Sequence, residues 1–281
     1  MPAPDKMLNY LRRAIDYVRA TPGRSGHLVH PRDCTELLVA GDLHGHIANF
    51  QTILKAADLA NHATRHLVLQ EVIHSEFFYP NGGDKSHQLV DLFAALKCQF
   101  PERVHFLPGN HEIAQMTGRM IAKGTASQNS LFVDGVKHAY GDATPDLCRA
   151  YHDLFRASPL ALRTANGVFV CHTVVPAKYL PTFDPMRLLE EEYEEAAYMP
   201  GGLVYGMLWG RDTSSETAKA FLRKVEAELV VTGHIPTDAG FEAPNSNQLI
   251  LDCAGTPAAY VLFPTEHPIT MDELVERVVV F

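Results

Sequence analysis

Apolar residues recur along this chain in two periods, and their alternation predicts an α/β protein. Over Met7 to Arg19, Leu8, Leu11, Ile15 and Val18 fall on one face at helical spacing, and Thr21-Pro22-Gly23 closes the segment. A short apolar run, Glu36-Leu37-Leu38-Val39-Ala40, then ends at Gly41-Asp42, as a buried strand does where it hands over to a loop. Helical spacing resumes from Ile47 to Leu59. The same reading predicts a strand at Leu67 to Gln70, a helix at His87 to Phe100, and a strand at Val104 to Leu107 before the turn Pro108-Gly109. Further strands are expected at Gly167 to Cys171, Leu229 to Thr232, Leu249 to Asp252 and Ala259 to Phe263. Strand and helix alternate early and strands dominate late, which implies layers with helices outside and sheet inside.

No internal repeat, low-complexity linker or Pro/Gly/Ser-rich hinge divides the sequence, so residues 1–281 read as one domain, with 1–35 as an N-terminal helix and lead-in. The acidic run Leu188 to Ala197, LLEEEYEEAA, reads as a solvated helix face, with a lid over cationic substrates as the other reading.

Composition narrows the function. A hydrophobic content of 46% over 281 residues is enough for a substantial core. The net charge of -9 argues against a duplex nucleic-acid partner, which needs clustered Lys and Arg. Five cysteines, Cys34, Cys98, Cys148, Cys171 and Cys253, are odd in number, scattered and without a CxxC pair; a reducing compartment fits better than a disulfide framework. The charged, amphipathic N-terminus and the lack of a bilayer-length apolar stretch predict a cytoplasmic protein without a membrane partner. The 15 histidines are the unusual count, because imidazole is the commonest neutral metal ligand.

The chemistry gathers where the strands end. In VAGDLHGH, Asp42 and His44 flank one residue beyond a strand, so an extended backbone would point both side chains the same way. LPGNHE presents Asn110 and His111 after a glycine turn; VFVCH ends in His172 and VVTGH in His234. Carboxylate, amide and imidazole together suit Mn, Fe or Zn better than calcium. His30, His62, His66, His105, His138 and His152 lack such a setting and read as structural.

These blocks, in this order, resemble the signatures of calcineurin-like metallophosphoesterases. With Leu208-Trp209-Gly210-Arg211-Asp212 they most resemble the branch of Ser/Thr protein phosphatases and diadenosine tetraphosphatases, over roughly Val39 to Val261. The resemblance implies a two-layer β-sandwich flanked by helices and two divalent or trivalent metal ions. Asp42 and His44 would hold the first ion; Asn110, His172 and His234 would hold the second, and Asn110 would also reach the substrate. His111 would be the general acid, and Arg211 the phosphate clamp rather than the partner of Asp212 in a surface ion pair. Pro236 stands where many relatives place a further histidine.

The family's GDxxDRG block, which supplies a carboxylate bridging the ions, is absent. After LVLQ the chain reads Glu71-Val72-Ile73-His74-Ser75-Glu76. Glu71 falls at the strand end and at the family interval from Asp42; Asp84 has the Gly-Asp pair but follows no strand, so Glu71 is the expected bridge. His74 and Ser75 then occupy the positions of the catalytic Asp and the phosphate-gripping Arg. A histidine beside His111 cannot supply the missing negative charge. Phe77 to Gly83, FFYPNGG, is expected to wall or cover the site.

The expected function is hydrolysis of a phosphomonoester, on a phosphoprotein or a small phosphate ester, by a metal-bridging hydroxide. The alternatives are a phosphodiesterase or dinucleoside polyphosphate hydrolase, and a metal-binding module with lost or weak catalysis. The sequence leaves the oligomeric state open.

Overall fold

A computed structural model describes residues 2–123 and 126–281. Two sheets stack face to face. The first runs Val278–Val280, Ala259–Pro264, Glu36–Asp42, Arg65–Gln70, Val104–Leu107. The second is seven-stranded and centres on Val168–Cys171, Leu229–Thr232 and Gln248–Leu251. Glu36–Asp42, Arg65–Gln70 and Val104–Leu107 are mutually parallel, and so are the three central strands of the second sheet.

Both faces of each sheet are covered, which is why these strands read as near-continuous apolar runs. Successive side chains alternate between two cores. Leu37, Val39 and Val68 meet Val168, Val170, Val231 and Leu249 between the sheets. Leu38, Ala40, Leu67, Leu69 and Phe106 point outward, under the helices Pro4–Arg19, Ile47–Ala57, His87–Gln99, Gln128–Tyr140 and Thr144–Ala157. On the far side Phe169, Cys171 and Val230 pack against Phe221, Leu222 and Val225 of the helix Ser215–Val225. The result is the expected β-sandwich flanked by helices.

The predicted strands recur within one or two residues of their expected ends, and Asp58, in the left-handed conformation, stops Ile47–Ala57 two residues early. The acidic run departs from expectation. Short 3-10 turns occupy Pro185–Leu189 and Glu195–Tyr198, with no α-helix between them. Glu191, Glu192, Glu194 and Glu195 repel one another at helical spacings without a basic partner at i+4. Only Leu188 and Ala197, nine apart, are buried, so no apolar stripe pays for a helix. Among the described residues no helix is long and apolar enough to cross a membrane.

Candidate metal centre

Parallel strands from both sheets run out at one edge of the sandwich, and the residues beyond their ends converge there. Glu36–Asp42 delivers Asp42 and His44, Arg65–Gln70 delivers Glu71, and Val104–Leu107 leads to Asn110 and His111 at the start of the helix Asn110–Thr117. Val168–Cys171 delivers His172, and Leu229–Thr232 delivers His234. His44, Glu71, His74 and His234 all have positive φ, at 39°, 29°, 64° and 67°. Non-glycine residues reach that region only at a steric cost, and strain of this kind concentrates at functional sites.

Glu71 is at the middle. Its Oε2 lies 3.2 Å from His44 Nε2 and its Oε1 3.7 Å from His172 Nε2. The ligand atoms of His44, Glu71 and His111 form one group within 4.8 Å, and those of Glu71, His172 and His234 form another. Asn110 Oδ1 sits 3.2 Å from His172 Nε2, beside the second group. Asp42 lies outside both groups: its Oδ2 accepts from the His234 amide at 2.7 Å, and its Oδ1 is 3.5 Å from His172 Nδ1.

This arrangement fits bound metal. Asp42 Oδ1 and His172 Nδ1 are buried with no hydrogen-bond partner, an arrangement that is costly unless something cationic satisfies them. His44 Nδ1 donates to the Ile73 carbonyl at 2.8 Å, which leaves Nε2 as the nitrogen that could take a metal, the pattern outer partners impose on metal-binding imidazoles. Two glycines make room for the carboxylates. A Cβ on Gly109 would stand 2.1 Å from Glu71 Oε1, and one on Gly233 would stand 2.2 Å from Asp42 Oδ1.

Electrostatics without metal describe the same crowding. Burial alone would neutralise Glu71, but His111, His172 and His44 hold its pKa well below the usual carboxylate range. Burial opposes the charge on His44, yet Glu71 and Asp42 raise its pKa to about 10. Burial pushes His111 and His172 down to about 3 each, against the pull of Glu71. His234 falls to about 4, through burial and the charge of Arg211 against the pull of Glu71, and Arg211 itself is exposed. Asp212 is not the partner of Arg211: its oxygens accept from Ser214, Thr217 and the Ala177 amide.

Asp84 is engaged elsewhere. Its carboxylate accepts from the amides of Ser75 and Ser86 and from both their hydroxyls. The Ser75 hydroxyl is therefore engaged by Asp84. His74 Nδ1 meets His111 Nδ1 at 2.9 Å, so the two histidines expected to be neighbours are in contact.

Two residues that carry the geometry escaped the sequence reading. Glu112, fully buried, accepts from the amides of Val72 and Ile73 with Oε1 and from that of Gly109 with Oε2, tying the Glu71 loop to the helix start. Burial and the charge of Glu71 push its pKa up to about 7. Gln115 meets His74 Nε2 through Oε1 at 3.0 Å. Its signal was available: it stands four residues after His111 on one helix, hence on the same face.

Residues 35–238 match the family described as calcineurin-like phosphoesterase. The chain belongs to that family, whose members are metal-dependent phosphoric ester hydrolases. A probable serine/threonine-protein phosphatase of Encephalitozoon cuniculi (strain GB-M1) is 25% identical over 243 residues, 80% of this chain and 48% of that protein. The chain thus spans about half the length of that curated relative. A protein serine/threonine phosphatase from Saccharomyces cerevisiae with similarity to human phosphatase PP5 superposes with a TM-score of 0.72 at 15% identity, covering 100% of this chain and 89% of that one. The cold-active protein-tyrosine phosphatase of a psychrophilic Shewanella gives 0.58 at 11% identity, covering 87% and 78%. At these identities the structural likeness is one of fold.

Proposed function

We propose that this chain hydrolyses a phosphomonoester with water at a dinuclear centre. The observation that carries the reading is the position of Glu71, whose two oxygens face His44 on one side and His172 on the other. Asp42, His44 and Glu71 would hold one ion; Glu71, Asn110, His172 and His234 would hold the second. The mixed carboxylate, amide and imidazole donors favour Mn, Fe or Zn. Bound there, the ions would neutralise phosphate oxygens and lower the pKa of a water.

The remaining work falls to the chain's own side chains. Arg211 would grip phosphate oxygens from the rim. His111, fixed through Nδ1 by His74, would give a proton from its other nitrogen to the leaving oxygen. Asn110, beside His172, would steady both metal and substrate. The N-terminal helix packs into the same core as the first sheet, so residues 1–281 are read as one domain. The five free thiols fit a cytoplasmic setting.

A metal-binding module with weak catalysis is the second reading, and Ser75 is what favours it: the hydroxyl standing in for the phosphate-gripping Arg is held by Asp84 instead. Turnover of an aryl phosphate monoester by Mn-loaded protein, abolished by chelation and restored by metal, supports the hydrolase. Stoichiometric metal without turnover of a monoester, a diester or a dinucleoside polyphosphate refutes it.

A further inference from the structure

The block VAGDLHGH ends in His46, which belongs to neither metal group and has no part in the hydrolysis proposed above. A cavity of about 470 Å³ opens from the centre, and His46 lines it together with His44, His111 and Phe77. That size is ordinary for a small-molecule site, roughly 300–1,000 Å³. A phosphate held at the centre leaves the rest of the cavity for the organic part of its ester.

His46 is held from every side. Its amide donates to the Leu43 carbonyl at 2.8 Å, and its carbonyl accepts from the Phe50 amide at 3.0 Å. Gly45, at φ 75°, has no space for a side chain, since a Cβ there would stand 2.5 Å from that of Ser75. The imidazole caps the helix Ile47–Ala57, with Nδ1 accepting from the Asn49 amide at 3.2 Å. The Asn49 side chain donates to the carbonyls of Cys253 and Gly255 at 2.8 and 2.7 Å, which ties Gly255, another lining residue, to the same turn. The Phe77 ring packs edge-to-face on the imidazole, with centroids 5.2 Å apart and planes at 82°. A group fixed in this way loses little freedom when a ligand arrives.

The cap also decides what the ring offers. With an amide hydrogen on Nδ1, the ring's own proton sits on Nε2, so that edge of the imidazole is a donor. The ring is half-buried, and among the described residues Nε2 has no hydrogen-bond partner. An N–H fixed beside a phosphate-binding centre suits an uncharged oxygen, a carbonyl or a hydroxyl, on the organic part of the ester.

We infer that His46 is a specificity residue: its Nε2–H donates a hydrogen bond to a carbonyl or hydroxyl oxygen that the leaving group of a phosphomonoester carries near the ester bond. The assignment rests on the hydrolase reading for turnover, and on a metal-loaded centre alone for binding. Esters with a purely hydrocarbon leaving group lose this bond and keep the contacts of their phosphate.

The test compares phosphonoacetone with isobutylphosphonate, which share nearly the same branched outline and differ by a carbonyl oxygen in place of a methyl group. Their binding to Mn-loaded wild type, His46→Phe and His46→Gln is measured by calorimetry, with hydrolysis of hydroxyacetone phosphate and isobutyl phosphate followed beside it. The wild type should bind phosphonoacetone the more tightly. His46→Phe should shrink that ratio by about 3- to 10-fold, and His46→Gln, whose carboxamide again donates, should restore it. Both variants lose the cap on the Asn49 amide, so a purely structural role for His46 would move both ligands together and leave the ratio in place. An unchanged ratio in His46→Phe, an equally reduced ratio in His46→Gln, or no preference in the wild type overturns the assignment. A His46-dependent ratio without hydrolysis of either ester keeps the assignment and overturns the hydrolase reading; hydrolysis of both esters with an unchanged ratio does the reverse.

Discussion

His74 touches His111 nitrogen to nitrogen, Nδ1 to Nδ1 at 2.9 Å, and its other nitrogen meets Gln115 Oε1 at 3.0 Å. The carbonyl of Gln115 can only accept, so His74 carries its proton on Nε2 and accepts at Nδ1. His111 must then donate from its own Nδ1. The chain from Gln115 orients the ring but brings no negative charge to it.

His74→Asp should therefore raise activity. An aspartate would accept the same proton and favour protonated His111, lifting its pKa from the about 3 that burial produces. Activity that depends on an acid fades as pH rises through its pKa, so the descending limb of the kcat profile should move to higher pH in His74→Asp. A profile that stays in place would show that His111 is not the acid.

Gly109→Ala and Gly233→Ala should each weaken metal binding without removing a ligand. Their new methyl groups would stand 2.1 Å from Glu71 Oε1 and 2.2 Å from Asp42 Oδ1, so the carboxylates must move. Titration of the apoproteins with Mn should show at least a tenfold weaker Kd, a loss of roughly 1.4 kcal/mol. Wild-type affinity in both would mean that neither carboxylate is a ligand in this position.

Away from the centre, His66 Nδ1 and His105 Nε2 lie 3.0 Å apart in the interior. Burial and then Arg103 and Lys97 depress His66 to about 4; burial and then Lys97 and His66 hold His105 well below the ordinary imidazole value. Both rings are neutral in the folded protein near pH 6, whereas the unfolded chain takes up protons below about 6.5. Their contribution is complete above that value and is lost as pH falls towards 4. Each should cost up to about 1.4 kcal/mol per pH unit across this window. Urea unfolding at several pH values should show a shallower acid slope in a His66→Leu/His105→Leu protein than in the wild type. Equal slopes would refute the assignment.

The strands were legible from their apolar runs, and Asp42, His44, Asn110, His172 and His234 stood out as candidate donors because they follow such runs directly or across a short turn. Glu71 was legible by its place at a strand end and its interval from Asp42, and the structure puts it between His44 and His172. The paired burial of His66 and His105 was not, since it arises from adjacent parallel strands whose register no local pattern displays. Glu112 was hidden for another reason: its partners are backbone amides, which leave no motif, whereas Gln115 could have been found from its place on the His111 face of the helix. The acidic run misled because charge alone suggested a solvated helix, while its buried anchors lack helical spacing.

The most direct measurement is metal stoichiometry by elemental analysis of wild type, Glu71→Ala and Asp84→Ala, each loaded with Mn and dialysed. A bridging Glu71 predicts about two ions per chain in wild type and in Asp84→Ala, and fewer than one in Glu71→Ala. Two ions retained in Glu71→Ala, or their loss only in Asp84→Ala, would contradict the account.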